Sequence, residues 1–246
     1  MTIALPARAK LNLDLEVIKR RDDGYHELRT TMQTIELHDL LLVALASETT
    51  LTVSGMKVDH NDNSVLKAQQ ALEHAVNRKL PAAFHLHKRI PPGSGMGGAS
   101  SDAAAALRAL KALYGLDLDL ALEPVAAEVG SDVPFFLRGG AAIVEGRGDR
   151  VVPVPMKPAW FAIAWPGIEL STRAVYQAWD EVKGEDLRRA AERVEPRLQE
   201  FDRKLGAAWR ITGSGSAFFQ ETTSEDDARA AIKGLDCWTA VSQAVA

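Results

Sequence analysis

The glycine-rich stretch at residues 91–101, PPGSGMGGASS, is the segment whose residue types and spacing point most directly to chemistry. It lies between an alternating, strand-like run at 83–90 and a strongly helical run that ends at Tyr114. Glycine tolerates positive φ and lets backbone N–H groups approach an anion, and the following helix directs its unpaired N–H groups to the same place. The stretch therefore predicts a phosphate-binding loop, with an ordinary connector whose serines cap a helix as the alternative.

The pattern excludes two kinds of phosphate site and leaves a third open. No lysine follows the glycines as in a P-loop, and the protein-kinase signatures H-R-D and D-F-G are absent. Gly93, Gly95 and Gly98 do satisfy the dinucleotide pattern G-x-G-x-x-G, with Asp117 and Asp119 about twenty residues further on. Two prolines before the loop, the alternating strand and the mid-chain position argue against that NAD(P)-binding alternative.

The bulk composition is that of an ordinary globular protein. The chain has 246 residues, a formal net charge of −4, 46% hydrophobic residues and one cysteine. This balance predicts no general affinity for nucleic acid or anionic lipid, and a single cysteine cannot form an internal disulfide. The N-terminus does not resemble a signal peptide, and the longest aliphatic run, at 40–46, is too short to cross a bilayer. We expect a cytoplasmic protein with no nucleic-acid or membrane partner.

Strand-like and helix-like segments are interleaved irregularly, which predicts the α+β class. Residues 10–17 alternate strictly between apolar and polar side chains, so they read as a half-buried strand. Prolines at 153, 155 and 158 suggest a boundary between domains at 1–152 and 153–246. The predicted strands are 10–17, 28–37, 40–46, 51–54, 83–90, short strands in 135–145, 159–165, 208–212, 216–220 and 236–241. The predicted helices are 64–78, the run to Tyr114, 120–129, 173–182, 186–205 and 224–233.

Four segments, in order, resemble one enzyme family. PPGSGMGGASSDAAAAL resembles the second motif of the GHMP kinases. The opening PARAKLNLDLEVIKRRDDGYHEL, then GSDVPFFL at 130–137 and ITGSGSAFF at 211–219, is similar to the 4-diphosphocytidyl-2-C-methyl-D-erythritol kinases within that superfamily.

The resemblance implies a two-domain GHMP kinase fold with its active site in a cleft between the domains. The N-terminal nucleotide domain would resemble ribosomal protein S5 domain 2, and the C-terminal domain would be ferredoxin-like. It also implies ATP with Mg²⁺, and transfer of the γ-phosphoryl group to the 2-hydroxyl of the methylerythritol substrate in the non-mevalonate isoprenoid pathway.

The resemblance also implies roles for two residues in catalysis. Asp132 matches the catalytic aspartate that takes the proton from the attacking hydroxyl. Lys10 matches the catalytic lysine, which would keep Asp132 ionised and stabilise developing charge. The alternatives are that Asp132 caps a turn and that Lys10 is an ordinary exposed strand lysine.

Further site residues follow from the same match. Asn12 would orient the substrate hydroxyl; Tyr25 and His26 would hold the cytosine, with Tyr176 as a second aromatic. The turn at 213–216 would line the substrate diphosphate. The alternatives are that Tyr176 packs its helix toward the core and that the turn is only a hairpin. The remaining predicted substrate residues are Gly213, Ser214 and Gly215. The predicted ATP-binding residues are Asn63, Lys88, Pro91, Pro92, Gly93, Ser94, Gly95, Met96, Gly97, Gly98, Ala99, Ser100 and Ser101. We predict no metal ligands, and we interpret His85 and His87 as a solvated strand face.

The sequence departs from the family pattern at a few places. Ala99 replaces the third glycine before the serines, 177–205 is short, and 221–246 end early. These changes make the substrate fit less secure than ATP binding. The alternatives are another GHMP kinase such as a homoserine kinase, a non-catalytic nucleotide-binding homologue, and an NAD(P)-binding oxidoreductase with the dinucleotide pattern. We expect a monomer or a weak homodimer.

Overall fold

The computed structural model describes residues 1–57, 63–117, 120–182 and 186–246. The strands are β1 (Thr2–Arg20), β2 (His26–Leu45), β3 (Thr50–Gly55), β4 (Ala82–Lys88), β5 (Ala141–Gly146), β6 (Arg150–Val154), β7 (Trp160–Trp165), β8 (Arg210–Ile211), β9 (Phe218–Thr222) and β10 (Trp238–Gln243). The helices are α1 (Ser64–Val76), α2 (Gly98–Leu113), α3 (Leu122–Val129), α4 (Val133–Arg138), α5 (Thr172–Glu181), α6 (Leu187–Val194), α7 (Arg197–Leu205) and α8 (Glu225–Ile232). None of the helices in these described ranges is long and apolar enough to span a membrane.

The backbone contacts divide the chain into two compact units that interleave along the sequence. Unit 1 comprises 1–9, 38–90 and 97–139, and unit 2 comprises 10–37, 91–96 and 140–246. The long strands β1 and β2 each contribute residues to both units. The predicted domains at 1–152 and 153–246 are consecutive instead, and that boundary stays a prediction.

Unit 1 is a small sheet with four helices. β3 pairs in parallel with β4, and β4 pairs antiparallel with residues 40–45 of β2. The alternation predicted for the strand at 83–90 is real, because Phe84 and Leu86 are buried while His85 and His87 are exposed. Helix α2 is almost continuously buried through its alanines, which lets the backbone approach neighbouring elements closely.

Unit 2 contains an antiparallel sheet in the order β10-β7-β9-β8. In the same unit, residues 28–33 of β2 pair with β5, and β5 pairs with β6. The core of the four-stranded sheet also buries residues from helices α5 to α8. The helical residues include Val175, Trp179, Leu187, Leu198 and Ala228, and the same core contains Trp209 and, from β9, Phe218.

Several elements differ from the sequence-based expectation. β1 begins at Thr2 and not at residue 10, and β6 was not predicted. β2 runs unbroken where strands 28–37 and 40–46 were predicted, because Asp39, which looked like a turn residue, is fully buried and bonded inside unit 1. Residues 133–138 form helix α4, because Pro134 sits in its first turn, where proline is well tolerated. The predicted helix 186–205 is two helices, α6 and α7, because Pro196 cannot continue a helix from its interior. The mixed α and β content itself is confirmed.

Candidate active site

The glycine-rich loop has the backbone conformation that its glycines predict. Gly93, Gly95 and Gly97 have φ of 59°, 78° and 73°. The Ser94 hydroxyl donates to the Pro91 carbonyl at 2.6 Å and so closes the turn between them. Ala99 lies inside helix α2 with helical backbone, so the methyl group in place of the family glycine is accommodated.

Helix α2 begins immediately after this loop. Its N-cap residue is Gly97, so no side chain of the described loop caps its first N–H groups. Ser101 is buried and its backbone N–H donates to the Gly97 carbonyl at 2.9 Å. A helix start of this kind directs free N–H groups and the positive end of the helix dipole outward, and both favour an anion.

The second glycine turn packs directly on residues 93–95 within unit 2. The Gly93 carbonyl accepts from the N–H groups of Leu170 at 3.1 Å and Ser216 at 3.3 Å. The Ser94 carbonyl accepts from Ala217 N–H at 2.9 Å. A Cβ on Gly95 would lie 2.3 Å from the Thr212 carbonyl oxygen, which no side chain tolerates. The two turns, predicted separately, therefore pack on each other, and the turn at 213–216 also connects the antiparallel strands β8 and β9.

Lys10 and Asn12 are buried beside these turns, also within unit 2. Both side chains sit at 3% exposure. The Lys10 ammonium donates to the Gly95 carbonyl at 2.7 Å and to the Asn12 side-chain oxygen at close range. A Cβ on Gly213 would lie 3.2 Å from Lys10 Nζ and 3.0 Å from Asn12 Oδ1. This burial is inconsistent with the alternative that Lys10 is an ordinary exposed strand lysine.

Two threonines that the sequence analysis missed orient Asn12. The Asn12 Nδ2 group donates to Thr30 Oγ1 at 2.9 Å, and Asn12 N–H donates to Thr212 Oγ1 at 3.0 Å. The amide therefore turns its oxygen toward Lys10. Threonine is common in any strand, so its type alone carried no signal.

An aromatic cluster forms around His26 in unit 2. The His26 ring stacks on Tyr176 at a centroid distance of 5.0 Å and meets Trp179 edge-on at 5.4 Å. His26 Nε2 lies 2.8 Å from Asp180 Oδ1. Trp179 and Asp180 were not predicted. Their spacing of three and four residues from Tyr176 on an amphipathic helix was the available signal.

Tyr25 is an exposed aromatic residue. It is 54% exposed, and the Arg147 guanidinium lies 5.2 Å from its ring centroid. Tyr176 packs on His26 rather than only toward the core. A base held between Tyr25 and Tyr176 stays a prediction.

A buried ion cluster joins three residues of unit 1. The Lys88 ammonium donates to Asp102 Oδ2 at 2.6 Å and to Asp39 Oδ2 at close range, and each residue is at most 5% exposed. Burial disfavours the charged ammonium, but the carboxylates of Asp102 and Asp39 outweigh it and raise the pKa of Lys88. Burial, which the charge of Lys88 offsets only in part, raises the pKa of Asp102 to about 7. The sequence indicated neither aspartate.

The remaining predicted residues lie at helix starts in unit 1. Asp132 is the N-cap residue of α4, where its side chain makes no cap hydrogen bond to the described residues of that helix, and both its catalytic role and the turn-cap alternative stay predictions. Asn63 caps α1, where its Oδ1 accepts from Val65 N–H at 2.9 Å. Asp119, part of the dinucleotide pattern, lies outside the described residues.

The histidine pair at 85 and 87 lies on the exposed side of β4. The described ranges contain no group of three or more histidine, cysteine or acidic side chains arranged to hold a metal ion. His87 Nδ1 instead lies 3.0 Å from the Ser54 hydroxyl on the neighbouring strand.

Comparison with known proteins identifies relatives for most of the chain. Residues 63–140 match the family model described as the GHMP kinases N-terminal domain. A 4-diphosphocytidyl-2-C-methyl-D-erythritol kinase of Thermodesulfovibrio yellowstonii is 32% identical over 96% of this chain and 96% of its own length. A protein of the same name from Chromohalobacter salexigens is 41% identical over 71% of this chain. The match spans 59% of that relative, so this chain covers about three fifths of its length.

A solved structure covers the whole fold. The crystal structure of a 4-(cytidine 5'-diphospho)-2C-methyl-D-erythritol kinase aligns with a TM-score of 0.83 and 33% identity. The alignment covers 99% of this chain and 100% of the other. The two-domain GHMP kinase fold expected from the four motifs is thus the fold of this chain.

Proposed function

We propose that this chain, which belongs to the family of the 4-diphosphocytidyl-2-C-methyl-D-erythritol kinases, transfers the γ-phosphoryl group of ATP to the 2-hydroxyl of that family's substrate. The observation that carries the proposal is the buried Lys10, whose ammonium is held against the Gly95 carbonyl beside both glycine turns. Burying an ammonium is costly, and a fold that needed only a strand there would place an apolar side chain. A kinase needs a fixed cation near the transferred phosphoryl group.

Three residues would act on the reacting hydroxyl. Asp132 accepts its proton as the phosphoryl group leaves ATP, a contribution typically worth about 10²–10⁴-fold in rate. Lys10 stabilises the charge that develops during transfer, and Asn12 orients the hydroxyl. The contact of the Asn12 Nδ2 group with Thr30 Oγ1 supports this role, because it holds the side-chain amide in one orientation, while Thr212 Oγ1 accepts from the Asn12 backbone N–H.

ATP would bind through backbone groups of the loop and of the first turn of α2. The positive-φ glycines and the uncapped helix start support this assignment for residues 91–101. Asn63 would lie near the adenine. A Mg²⁺ ion would be held mainly by nucleotide phosphates and water, as is usual for this ion at ATP sites. When bound, Mg²⁺ neutralises phosphate charge.

The diphosphocytidyl group would bind to residues of unit 2. We assign the cytosine to Tyr25, His26 and Tyr176, and the diphosphate to the backbone at Gly213, Ser214 and Gly215. The stacked His26 and Tyr176 rings support a flat aromatic surface for the base.

The finer structural assignments are part of the same proposal. The N-terminal domain, 1–152, would be S5-domain-2-like and the C-terminal domain, 153–246, ferredoxin-like. The enzyme would act in the cytoplasm, in the non-mevalonate isoprenoid pathway, as a monomer or weak homodimer.

A coupled assay of ADP release with ATP, Mg²⁺ and the diphosphocytidyl substrate tests the proposal. We expect turnover with that substrate and none with homoserine or mevalonate. Turnover of homoserine alone would move the chain to another GHMP kinase activity, and no turnover with clear ADP binding would favour a non-catalytic homologue.

The Asp132→Asn variant tests the proton acceptor. Because the amide cannot take a proton, we expect kcat to fall by about 10²-fold or more while the KM for ATP changes little. A variant with near wild-type kcat would remove Asp132 from the mechanism.

A further inference from the structure

Lys88 is the one predicted ATP-binding cation, yet its ammonium is already engaged inside unit 1. It lies at the last position of β4, with its side chain 4% exposed. Asp102 Oδ2 accepts from it at 2.6 Å and Asp39 Oδ2 accepts from it at close range. An ammonium has three donors, and two of them are used by buried carboxylates.

The two carboxylates lie on different elements, one at each end of the glycine-rich loop. Asp39 belongs to β2, and its Oδ1 accepts from the backbone N–H groups of Arg89 at 2.5 Å and Ile90 at 2.8 Å. These are the residues by which the chain leaves β4. Asp102 lies early in α2, where the loop ends.

Close packing leaves this arrangement little freedom. A Cβ on Gly98, the first residue of α2, would lie 3.2 Å from Lys88 Nζ and 3.1 Å from Ile90 Cγ2. The start of the helix therefore rests directly on the ion cluster. The ammonium, the end of β4 and the start of α2 are therefore in mutual contact.

We propose that Lys88 is a positioning residue, which ties the start of α2 to the end of β4 through Asp39 and Asp102 and does not itself bind the nucleotide phosphates. The end of β4 and the start of α2, which flank the loop at 91–97, are then held at a separation that the ion cluster sets. The two carboxylates are likewise positioning residues. The inference rests on the proposed function only in using nucleotide affinity as its readout.

Removing one partner of a buried ion cluster has a different effect from removing the whole cluster. Lys88→Met alone leaves two buried carboxyl groups without their cation, which is strongly destabilising and removes the link between β4 and α2. In Asp39→Asn/Lys88→Met/Asp102→Asn, the cluster is neutral, and the amide that replaces the Asp39 carboxylate still offers an oxygen to Arg89 and Ile90. If Lys88 bound the phosphates directly, its removal would weaken ADP binding equally with the two carboxylates present and with both replaced by amides.

The test is calorimetric titration of the full chain with ADP and Mg²⁺. The four proteins are the wild type, Lys88→Met, Asp39→Asn/Asp102→Asn, and the combination of all three. We expect Lys88→Met alone to weaken ADP binding by up to about 10²-fold, because the loop loses its geometry. Between the double and the triple variant, we expect affinities that agree within about twofold. Lys79→Met is the matched control, since that lysine is 89% exposed, and it should bind ADP like the wild type.

A triple variant about tenfold or more weaker than the double variant would overturn the inference, because Lys88 would then act on the nucleotide without its carboxylates. This comparison also decides the question if Lys88→Met alone fails to fold. If the wild type bound no ADP, the proposed function would fail, and the same four proteins would be compared by their free energy of unfolding. If removing Lys88 lowered the free energy of unfolding equally in the wild type and in Asp39→Asn/Asp102→Asn, the inference would be overturned. A loss seen only in the wild type would support it.

Discussion

At position 213 the proposed site requires glycine, because any larger side chain would approach Lys10 and Asn12. Gly213 has φ of +59°, and a Cβ there would face Lys10 and Asn12. Gly167 has φ of +76°, and a Cβ there would meet nothing within 4 Å. Both glycines adopt a left-handed conformation that costs an alanine about 1–2 kcal/mol. Only the first contacts side chains to which we assign chemistry.

Gly213→Ala should therefore lower kcat, whereas Gly167→Ala should not. Both variants lose comparable stability from the backbone conformation, but only the methyl group at 213 displaces Lys10 Nζ and Asn12 Oδ1. Because contacts of 3.0 and 3.2 Å require these atoms to move by less than about 1 Å, we expect kcat for Gly213→Ala to fall, but by less than the loss of about 10²-fold that a displacement of about 1 Å causes. Steady-state kinetics with thermal unfolding of both variants checks this, and equal kcat values would contradict it.

Asp180 acts on a predicted substrate residue through His26. Its carboxylate holds the ring nitrogen Nε2 at 2.8 Å and so orients the ring that stacks on Tyr176. We expect Asp180→Asn to raise the KM for the diphosphocytidyl substrate by about tenfold while the KM for ATP stays unchanged. The neighbouring Glu181→Gln, whose side chain is 61% exposed, is the control. An equal rise in both KM values would show that Asp180 has only a general structural role.

At the scale of elements, helix α2 carries a titratable group in its first turns. The pKa of Asp102 is raised to about 7 chiefly by burial, from an ordinary value near 3.8. Between these values the folded state holds a proton that the unfolded state has released. The stabilisation of the folded state by the proton on Asp102 is therefore present in full below about pH 4 and is lost as the pH rises toward 7.

Asp102→Asn removes this titration. We expect the variant to gain stability relative to the wild type as the pH rises from 5 to about 7.5, and to show no further relative change above it. Urea unfolding at several pH values measures the difference. The exposed Asp226→Asn is the control, and a difference that does not vary with pH would contradict the assignment.

At the scale of the whole molecule, helices α6 and α7, which lie in the short region 177–205, contribute buried side chains to a hydrophobic core. Leu198 of α7 is fully buried in the cluster that also contains Trp209 and Phe218 of unit 2. We expect Leu198→Ala to cost about 2–5 kcal/mol in the free energy of unfolding, against less than about 1.5 kcal/mol for Val194→Ala, which is 37% exposed. Denaturant unfolding followed by circular dichroism measures both, and similar losses would place Leu198 outside the core.

Residue types and local spacing were enough for the parts of this protein that depend on local rules. Positive φ at Gly93, Gly95 and Gly97 and the helix that follows them are properties of a few consecutive residues, as is the alternation of β4. The order of the four motifs was enough to indicate the family, because it needs no coordinates. The helix predicted at 186–205 was wrong in its middle, although Pro196 already carried the local signal for a break.

Only the tertiary structure decided which distant residues meet. Thr30 and Thr212 reach Asn12, and Asp39 and Asp102 reach Lys88, across separations from 14 to 200 residues. A threonine in a strand or an aspartate between strands looks the same in sequence whether it faces water or a buried ammonium. What distinguishes them is burial, because inside the fold each such polar group must find a partner.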